Sequence, residues 1–321
     1  MNISDMKDRM RARKWGVFNH YLPWPGQEVP RTQAAEAWNR AVDSFDTDRL
    51  AKTLHELGAG YYFLTVMHGA EYMPVPCRSY EQLVKQPEGT VCARRDLVLD
   101  LYESLRRYDI DLCLYYNGLS PFNFSYRADC REAIFGGPVE VTQENTFRKV
   151  DPMTFVPRWA EPMRELSERY GDKIKMWWLD SCYSRSGYTE ALLKYYHDAL
   201  KAGNPNVLIA YNDGELYDNR AGGLVKHCSF EDYTCGECPD FLYTPDRADY
   251  DGAMTHMLIP VGKEQNGNRW GMPGTDYTPD FVQSYVRRVN AVGGIVTLDL
   301  AVKPDGGLYD EQVNLLRGMN R

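Results

Sequence analysis

The sequence predicts an α/β fold, a single (β/α)8 TIM-like barrel that spans residues 1–321 as one domain. Strands of continuous apolar character alternate with amphipathic helices, which is typical of a parallel sheet covered by helices. About eight such units fit into a chain of this length, as in a (β/α)8 barrel. A doubly wound open sheet is the alternative, but no G-x-G-x-x-G motif follows the first strand.

The first half of the chain contains four predicted strands separated by helices. The strands are KWGVFNHY (14–21), YYFLTVM (61–67), IDLCLYYN (110–117) and IKMWWLD (174–180), and the helices are 46–58, 94–109 and one within 151–171. In the first of these helices Asp46 can cap the N-terminus, and Leu50, Leu54 and Leu57 fall on one face. These elements account for the first half of a barrel.

The second half continues the alternation with weaker patterns. Strands are predicted at NVLIAYND (206–213), HCSFEDY (227–233), HMLIPVG (256–262) and GIVTLDLAV (294–302), and helices at 189–203, 278–293 and 309–320. The second and third of these strands are the poorest in apolar residues. We still expect them to complete the barrel.

Composition narrows the classes of partner. The net charge is −8 with no basic block, which argues against a nucleic-acid partner. No apolar run of 18 residues occurs, so we expect no membrane partner. The charged N-terminus MNISDMKDRMRARKWG lacks the apolar core of a secretory signal, which predicts a cytoplasmic protein. Barrels often form dimers or larger assemblies, so an oligomer is compatible with the sequence.

The cysteines and aromatic residues bear on the ligand. Eight scattered cysteines without a signal segment indicate free thiols. Cys235-x-x-Cys238 could be half a zinc site or a redox pair, but a second half with the usual spacing is missing. We therefore expect no metal and no cofactor. The 23 tyrosines and 7 tryptophans suit a flat, hydroxyl-rich ligand, so a carbohydrate is the expected substrate.

Polar and aromatic side chains gather where the predicted strands end, the face of a barrel that carries chemistry. They are His20, His68, Tyr115, Tyr116, Asn117, Trp178, Asp180, Asn212, Asp213, Glu231, Asp232, Glu237 and Asp299. Two facing carboxylates can cleave a glycosidic bond, one as nucleophile and one as proton donor. Asp180 suits the first role, and an acid from the sixth strand region is needed for the second.

Each of these residues also has a simpler interpretation. A strand-end aspartate such as Asp180 often caps the next helix. His20 and His68 are equally compatible with core histidines or with ligands of a divalent metal. The aromatic residues could only fill the top layer of the barrel. The order of the residues along the strands, more than any single one, favours a site.

Several segments carry short motifs in a fixed order from about residue 13 to 320. They are RKWGVFNHY, FDTDRLAKTLHELGAGYYFLTVMHGAEY, RRDLVLDLYESLRRYDIDLCLYYN, MWWLDS, DYTCGE and, after the WG at 270–271, NAVGGIVTLDLAVKPDGGL. In this order they resemble the α-L-fucosidases, family 29 of the glycoside hydrolases. MWWLDS is similar to the family's nucleophile strand, and DYTCGE to the segment that carries the acid/base in some members.

The resemblance implies a retaining exo-glycosidase that cleaves a terminal α-L-fucoside or a related sugar by double displacement. Asp180 would be the nucleophile and Glu237 the acid/base, with Glu231 as the second choice for the acid/base. The residues expected to contact the substrate are His20, His68, Tyr116, Trp178, Asn212, Glu231 and Trp270. The chain stops after the last barrel helix, so we expect it to lack the C-terminal β-sandwich that many members carry.

Two departures from the family pattern concern the sugar. The family's K-H-H-D-G-F is MHGAEY (67–72) here, so a lysine and a second histidine are missing. The family's N-D-R is Asn212-Asp213-Gly214, so an arginine is missing as well. A site that hydrogen-bonds a hydroxyl rejects ligands without it, so these losses should change which sugar fits. Two alternatives therefore stay open: a degenerate sugar-binding barrel without turnover, and a metal-dependent sugar enzyme using His20 and His68.

Overall fold

Seven parallel strands form the central sheet of the computed structural model, which describes residues 2–140, 150–214 and 224–319. In chain order they are β1 (Trp15–Asn19), β2 (Tyr61–Met67), β3 (Asp111–Asn117), β4 (Ile174–Asp180), β5 (Leu208–Tyr211), β8 (His256–Pro260) and β9 (Ile295–Asp299), with a separate antiparallel pair β6 (Asp249–Tyr250) and β7 (Ala253–Met254). The order across the sheet is β5-β4-β3-β2-β1-β9-β8. The sheet is a parallel half-barrel surrounded by helices, and seven of the eight predicted strands are confirmed.

The predicted strand at 227–233 is wrong. Residues 228–230 form a bend and turn, and the β-bridges of this region come later, at Tyr233 and Glu237 in the segment 231–238. Isolated parallel bridges join that segment to β7 and β8, and its Asp232 N–H donates to Ile209 O of β5 at 2.9 Å. Gly236 has φ +61°, and a Cβ there would lie 1.8 Å from His256 O. The segment thus lies between β5 and β8, but the turn at Gly236 breaks a regular ladder.

Ten α-helices are assigned in the described residues. They are α1 (Ile3–Arg13), α2 (Arg31–Ser44), α3 (Thr47–Leu57), α4 (Arg78–Leu83), α5 (Leu97–Leu105), α6 (Ala128–Phe135), α7 (Pro152–Tyr170), α8 (Glu190–Lys201), α9 (Pro279–Ala291) and α10 (Asp310–Leu316). The six predicted helices correspond to α3, α5 and α7–α10. Asp46 caps α3 as predicted, accepting from Arg49 N at 2.9 Å. None of the described helices has the length and apolar character needed to cross a membrane.

The apolar core has two layers, one on each face of the sheet. The larger layer packs the sheet against the helices, and the smaller one fills the interior of the half-barrel. Because side chains alternate along a strand, Tyr115 lies in the inner layer and Tyr116 in the outer one. Both faces of β3 are buried, which explains why its sequence is apolar throughout.

Helix α1 packs against the N-terminal ends of the strands. Its buried Met6 and Met10 belong to the inner core layer. Arg9 and Arg13 both pair with Asp111 at the start of β3, at 2.6 and 2.9 Å. One end of the half-barrel is therefore covered by α1, and the carboxyl ends of the strands remain for a ligand.

Candidate active site

A cavity of about 610 Å³ opens at the carboxyl ends of the strands. Six of the residues predicted for the site line it together: His20, His68, Trp178, Asp180, Glu237 and Trp270. Its volume falls in the range of about 300–1,000 Å³ found for small-molecule sites. The fold thus brings most of the predicted site to one place, although these residues are up to 250 positions apart in the chain.

Asp180, the last residue of β4, lines the cavity and accepts hydrogen bonds on both carboxylate oxygens. Oδ1 accepts from Ser181 N at 2.6 Å and from Asn212 Nδ2 at 2.8 Å. Oδ2 accepts from the phenol of Tyr115 and from Asn117 Nδ2, the latter at 3.2 Å. These neutral donors fix the orientation of the carboxylate while leaving its negative charge uncancelled by any cation among them.

Asp180 does not cap the helix that follows β4. Helix α8 begins at Glu190, and its first turn is capped by Thr189, whose side chain accepts from Leu192 N. The helix-cap interpretation of Asp180 is therefore wrong. Ser181 directly after it has φ +57°, a conformation that is unfavourable for most non-glycine residues. Such an outlier is typical of backbone held in place at a functional site.

Asn212 bridges the two candidate catalytic carboxylates. Its Nδ2 lies 2.8 Å from Asp180 Oδ1 and 2.6 Å from Glu237 Oε2. Its Oδ1 accepts from Gly214 N at 2.8 Å, and because a backbone N–H can only donate, the amide cannot be flipped. Because both distances end at the same nitrogen, Asp180 Oδ1 and Glu237 Oε2 can be no farther apart than the two distances combined. Retaining glycosidases hold their carboxyl groups about 5–5.5 Å apart, and inverting ones about 6.5–9.5 Å.

Tyr115, and not the predicted Tyr116, lines the cavity. Its ring stacks between His68, with centroids 5.6 Å apart, and Trp178, with centroids 5.4 Å apart. Tyr116 is fully buried on the opposite face of β3 and packs against Trp159. The placement of Tyr116 in the site is therefore wrong, because an odd residue shift along a strand reverses the face. Tyr115 and Asn117 are two residues apart on β3, so their side chains lie on the same face. Applying this alternation to the sequence could have identified Tyr115 as the residue that faces the cavity.

Glu231 lies outside the cavity, so the structure does not place it where an acid/base would act. Its carboxyl group is buried and accepts from Tyr211 N at 2.9 Å and from His227 N. Burial raises the pKa of Glu231 to about 8. The side chain holds β5 to the turn at 228–230, which is a structural task.

Trp178 lines the cavity, and its main contribution there is packing. Only 3% of the residue is exposed, and its Nε1 donates to Cys235 O at 2.8 Å. The same carbonyl faces Nδ1 of His256 at 3.1 Å, and Nε2 of His256 lies 2.7 Å from Thr297 Oγ1. This buried network beneath the cavity anchors the segment that leads to Glu237. Burial lowers the pKa of His256 to about 4, so the ring is neutral at pH 7.

His20 and His68 meet at the other side of the cavity, with ring centroids 5.4 Å apart. Nδ1 of His20 lies 2.9 Å from Asp299 Oδ1, and Asp299 Oδ2 accepts from Gly271 N at 2.7 Å. The aspartate thus connects the end of β1 to the loop that carries Trp270. Burial, and next the proximity of His20, lower the pKa of His68 to about 4. His68 is therefore a neutral ring at pH 7 and does not replace the positive charge of the missing lysine.

The two departures from the family pattern have structural counterparts. Glu71 lies in a buried ion pair with Arg127, at 3.1 Å, and does not line the cavity. Gly214 has φ +126°, which an arginine would rarely adopt, and Arg185 Nη1 lies 3.3 Å from where its Cβ would be. The backbone at this position therefore differs from one that carries an arginine side chain.

The thiols and the histidines do not form a metal centre in the described ranges. No group of three or more His, Cys, Asp or Glu side chains there is arranged to hold a metal ion. All eight cysteines are buried and free of disulfides, including Cys235 and Cys238. Burial raises the pKa of the Cys235 thiol, which disfavours the thiolate that metal binding needs.

Comparisons with known proteins agree with this geometry. A sequence profile described as alpha-L-fucosidase matches residues 26–321. No curated protein matches the sequence. An endo-fucoidan hydrolase from glycoside hydrolase family 107 superposes with a TM-score of 0.68 at 15% identity, covering 98% of this chain and 54% of that one. The chain therefore spans about half of that protein's length.

Two further solved structures extend the comparison. A second family-107 endo-fucoidan hydrolase has a TM-score of 0.68 at 16% identity, covering 98% of this chain and 92% of that chain. An alpha-L-fucosidase of family GH29 from Bacteroides thetaiotaomicron has a TM-score of 0.65 at 17% identity, covering 98% and 72%. At these identities the likeness shows a common fold.

Proposed function

Because the chain belongs to the α-L-fucosidase family, we propose that it is a glycoside hydrolase, and specifically a retaining exo-glycosidase acting on a terminal α-L-fucoside or a related sugar. The observation that carries this proposal is the amide of Asn212, which lies within 2.8 Å of both Asp180 and Glu237. This closeness of one oxygen from each carboxylate supports the short separation of a retaining pair over the wider one of an inverting pair.

In this proposal Asp180 attacks the anomeric carbon and forms a glycosyl ester. The bond from the anomeric carbon to the leaving oxygen breaks with its electron pair, and that oxygen takes a proton from Glu237. Glu237, now ionised, then removes a proton from a water molecule that attacks the same carbon, and Asp180 leaves as a carboxylate. The donors from Tyr115, Ser181 and Asn212 hold Asp180 in one orientation through both steps.

The finer architecture is part of the proposal. Segment 231–238 lies between β5 and β8 and bonds to both sides, which supports a closed (β/α)8 barrel with this segment in the sixth strand position. Closure places Glu237 beside the end of β8 and across from Asp180. We propose that residues 1–321 form one catalytic domain on this basis.

Isosteric substitutions with matched controls test the two roles. Asp180→Asn should lower kcat on an aryl α-L-fucoside by about a thousandfold or more, because the amide cannot form the ester. Glu237→Gln should lower kcat strongly for a poor leaving group and less for an activated one, because an activated phenolate needs little protonation. Asp198→Asn and Glu56→Gln are the controls, since both carboxylates are exposed on helices and lie outside the cavity. Full activity of both Asp180→Asn and Glu237→Gln would rule the assignment out.

A second candidate is a sugar-binding barrel without turnover. The observation that favours it is the φ of +126° at Gly214, which goes with the loss of a family arginine. A panel of aryl glycosides separates the two candidates: hydrolysis of any of them supports the enzyme. No hydrolysis, together with a melting temperature raised by free sugars, supports the binding protein.

A further inference from the structure

The cavity has two chemically different halves. On one side the ends of β2, β3 and β4 supply His68, Tyr115 and Asp180. On the other side the loops that follow β1, β8 and β9 supply five apolar side chains: Leu22, Pro23, Met272, Val302 and Pro304. We call these five the apolar wall. Strands β1, β9 and β8 are neighbours in the sheet, so the three loops lie side by side and the wall is continuous.

Three polar groups next to the apolar wall already have partners. Gly271 N donates to Asp299 at 2.7 Å, and the side chain of Asn268 accepts from Trp270 N at 3.1 Å. The carbonyl oxygen of Pro304 accepts from the phenol of Tyr21 at 3.0 Å. A second sugar ring placed here would bury hydroxyl groups with few free partners, which is unfavourable. An apolar group placed here would lose no hydrogen bonds when it leaves water.

The wall lies where the leaving group must depart. Glu237 pairs in parallel register with Leu258 of β8, and both residues line the cavity, while the Glu237 carboxyl group also contacts Asn212 after β5. The acid/base protonates the oxygen that connects the sugar to its leaving group. The leaving group therefore starts beside β8, and the loop after that strand carries Met272 of the wall. A cavity of about 610 Å³ has room for such a group beyond one sugar ring.

We propose that the apolar wall is the subsite for the leaving group and that it takes an apolar alkyl or aryl aglycone in preference to a second sugar. This rests on the proposed function, with Glu237 as the proton donor. The preference follows from burial, because each methylene removed from water against such a wall improves binding about fourfold.

The test compares methyl and n-hexyl α-L-fucosides, whose leaving alcohols differ in apolar length and little in acidity. The wild-type protein should hydrolyse the hexyl glycoside with a kcat/KM at least about tenfold higher. A disaccharide with α-L-fucose linked to a hexose should be a poorer substrate than the hexyl glycoside. Hydrolysis with equal kcat/KM for the two alkyl glycosides would overturn the subsite and leave the glycosidase assignment intact.

Two methionine substitutions test whether the preference for the hexyl glycoside depends on the apolar wall. Met272→Gln should reduce the hexyl-to-methyl ratio of kcat/KM severalfold. Met153→Gln is the matched control, because Met153 lies on α7 with 51% of its surface exposed. An unchanged ratio in Met272→Gln would overturn the proposed wall. Absence of turnover of every α-L-fucoside, an activated aryl one included, would overturn the proposed function and the subsite with it.

Discussion

Nδ1 of His20 lies 2.9 Å from Oδ1 of Asp299, and this contact joins the first and the last strand of the sheet at the cavity. The second oxygen of Asp299 accepts from Gly271 N, so one carboxylate positions both the imidazole and the loop that carries Trp270. Since Nδ1 donates to Asp299, Nε2 of a neutral His20 is an acceptor for a ligand hydroxyl.

Substituting Asp299 should therefore impair the site by disturbing His20 and the loop of Trp270, without removing a side chain that lines the cavity. In Asp299→Asn, one of the two acceptor oxygens becomes an amide donor that faces another donor. We expect kcat/KM for an aryl α-L-fucoside to fall about 10–100-fold, as for the loss of a hydrogen bond to a charged group. Steady-state kinetics check this, with Asp246→Asn, an exposed aspartate, as the control. An unchanged kcat/KM would mean that His20 needs no such support.

Tyr115 and Tyr116 are adjacent on β3 and lie on its opposite faces, so the same substitution can be compared inside and outside the site. Tyr115→Phe removes the phenol that donates to Asp180 and should lower kcat by about tenfold or more, because the donor stabilises the departing carboxylate in the second step. Tyr116→Phe should leave kcat unchanged and keep or slightly raise the melting temperature. The buried hydroxyl of Tyr116 has no hydrogen-bond partner in the described part of the chain. Equal effects of the two substitutions on kcat would contradict the inward placement of Tyr115.

The amide of Asn212 should be needed for the mutual position of the carboxylates. Asn212→Ala removes the donor to both of them and leaves the two carboxyl groups without a shared partner. We expect kcat to fall by about a hundredfold or more, with a changed pH profile of kcat. Asn290→Ala, on α9, is the control and should keep the wild-type profile. A change confined to KM would instead mean that Asn212 is a substrate ligand, as the sequence predicted.

Stability should depend on pH through His256. Its folded-state pKa of about 4 lies below the ordinary value of 6.5, so the unfolded chain binds a proton that the folded protein does not. Stability should therefore decrease as the pH falls from about 6.5 to about 4. Denaturant unfolding at several pH values checks this, and the decrease should be smaller in His256→Gln than in the exposed-site control His55→Gln. An identical decrease in both variants would contradict the assignment to His256.

Strong local patterns allowed most of the fold to be predicted. Continuous apolar strands and capped amphipathic helices located β1 to β5, β8, β9 and the six helices α3, α5 and α7–α10. Helix α1 was missed because only Met6 and Met10 of its sequence are buried, and they pack inside the barrel end rather than on a surface stripe. The sixth strand position was misplaced because its backbone makes isolated bridges around Gly236.

The site was predicted unevenly for a physical reason. The motifs MWWLDS and DYTCGE singled out Asp180 and Glu237, and both residues line the cavity. Tyr115 and Tyr116 could not be told apart, since both faces of β3 are buried and the apolar run hides the inward phase. The contact between His20 and Asp299 depends on closing the sheet across 279 residues, which no local pattern reveals. Glu231 was a candidate acid/base because it lies in the same sixth strand region as Glu237, and its burial outside the cavity could not be read from the sequence.

The identity of the nucleophile is the central claim, and covalent trapping tests it most directly. Incubation with 2-fluoro-fucosyl fluoride should leave a 2-fluoro-fucosyl ester on the protein. The fluorine at C2 slows both formation and hydrolysis of the glycosyl-enzyme, and the activated fluoride leaving group speeds formation alone, so the ester accumulates. Peptide mass spectrometry should then find the added mass on Asp180, and none in Asp180→Asn. A label on another carboxylate, or turnover of the reagent with net inversion and no label, would contradict the account.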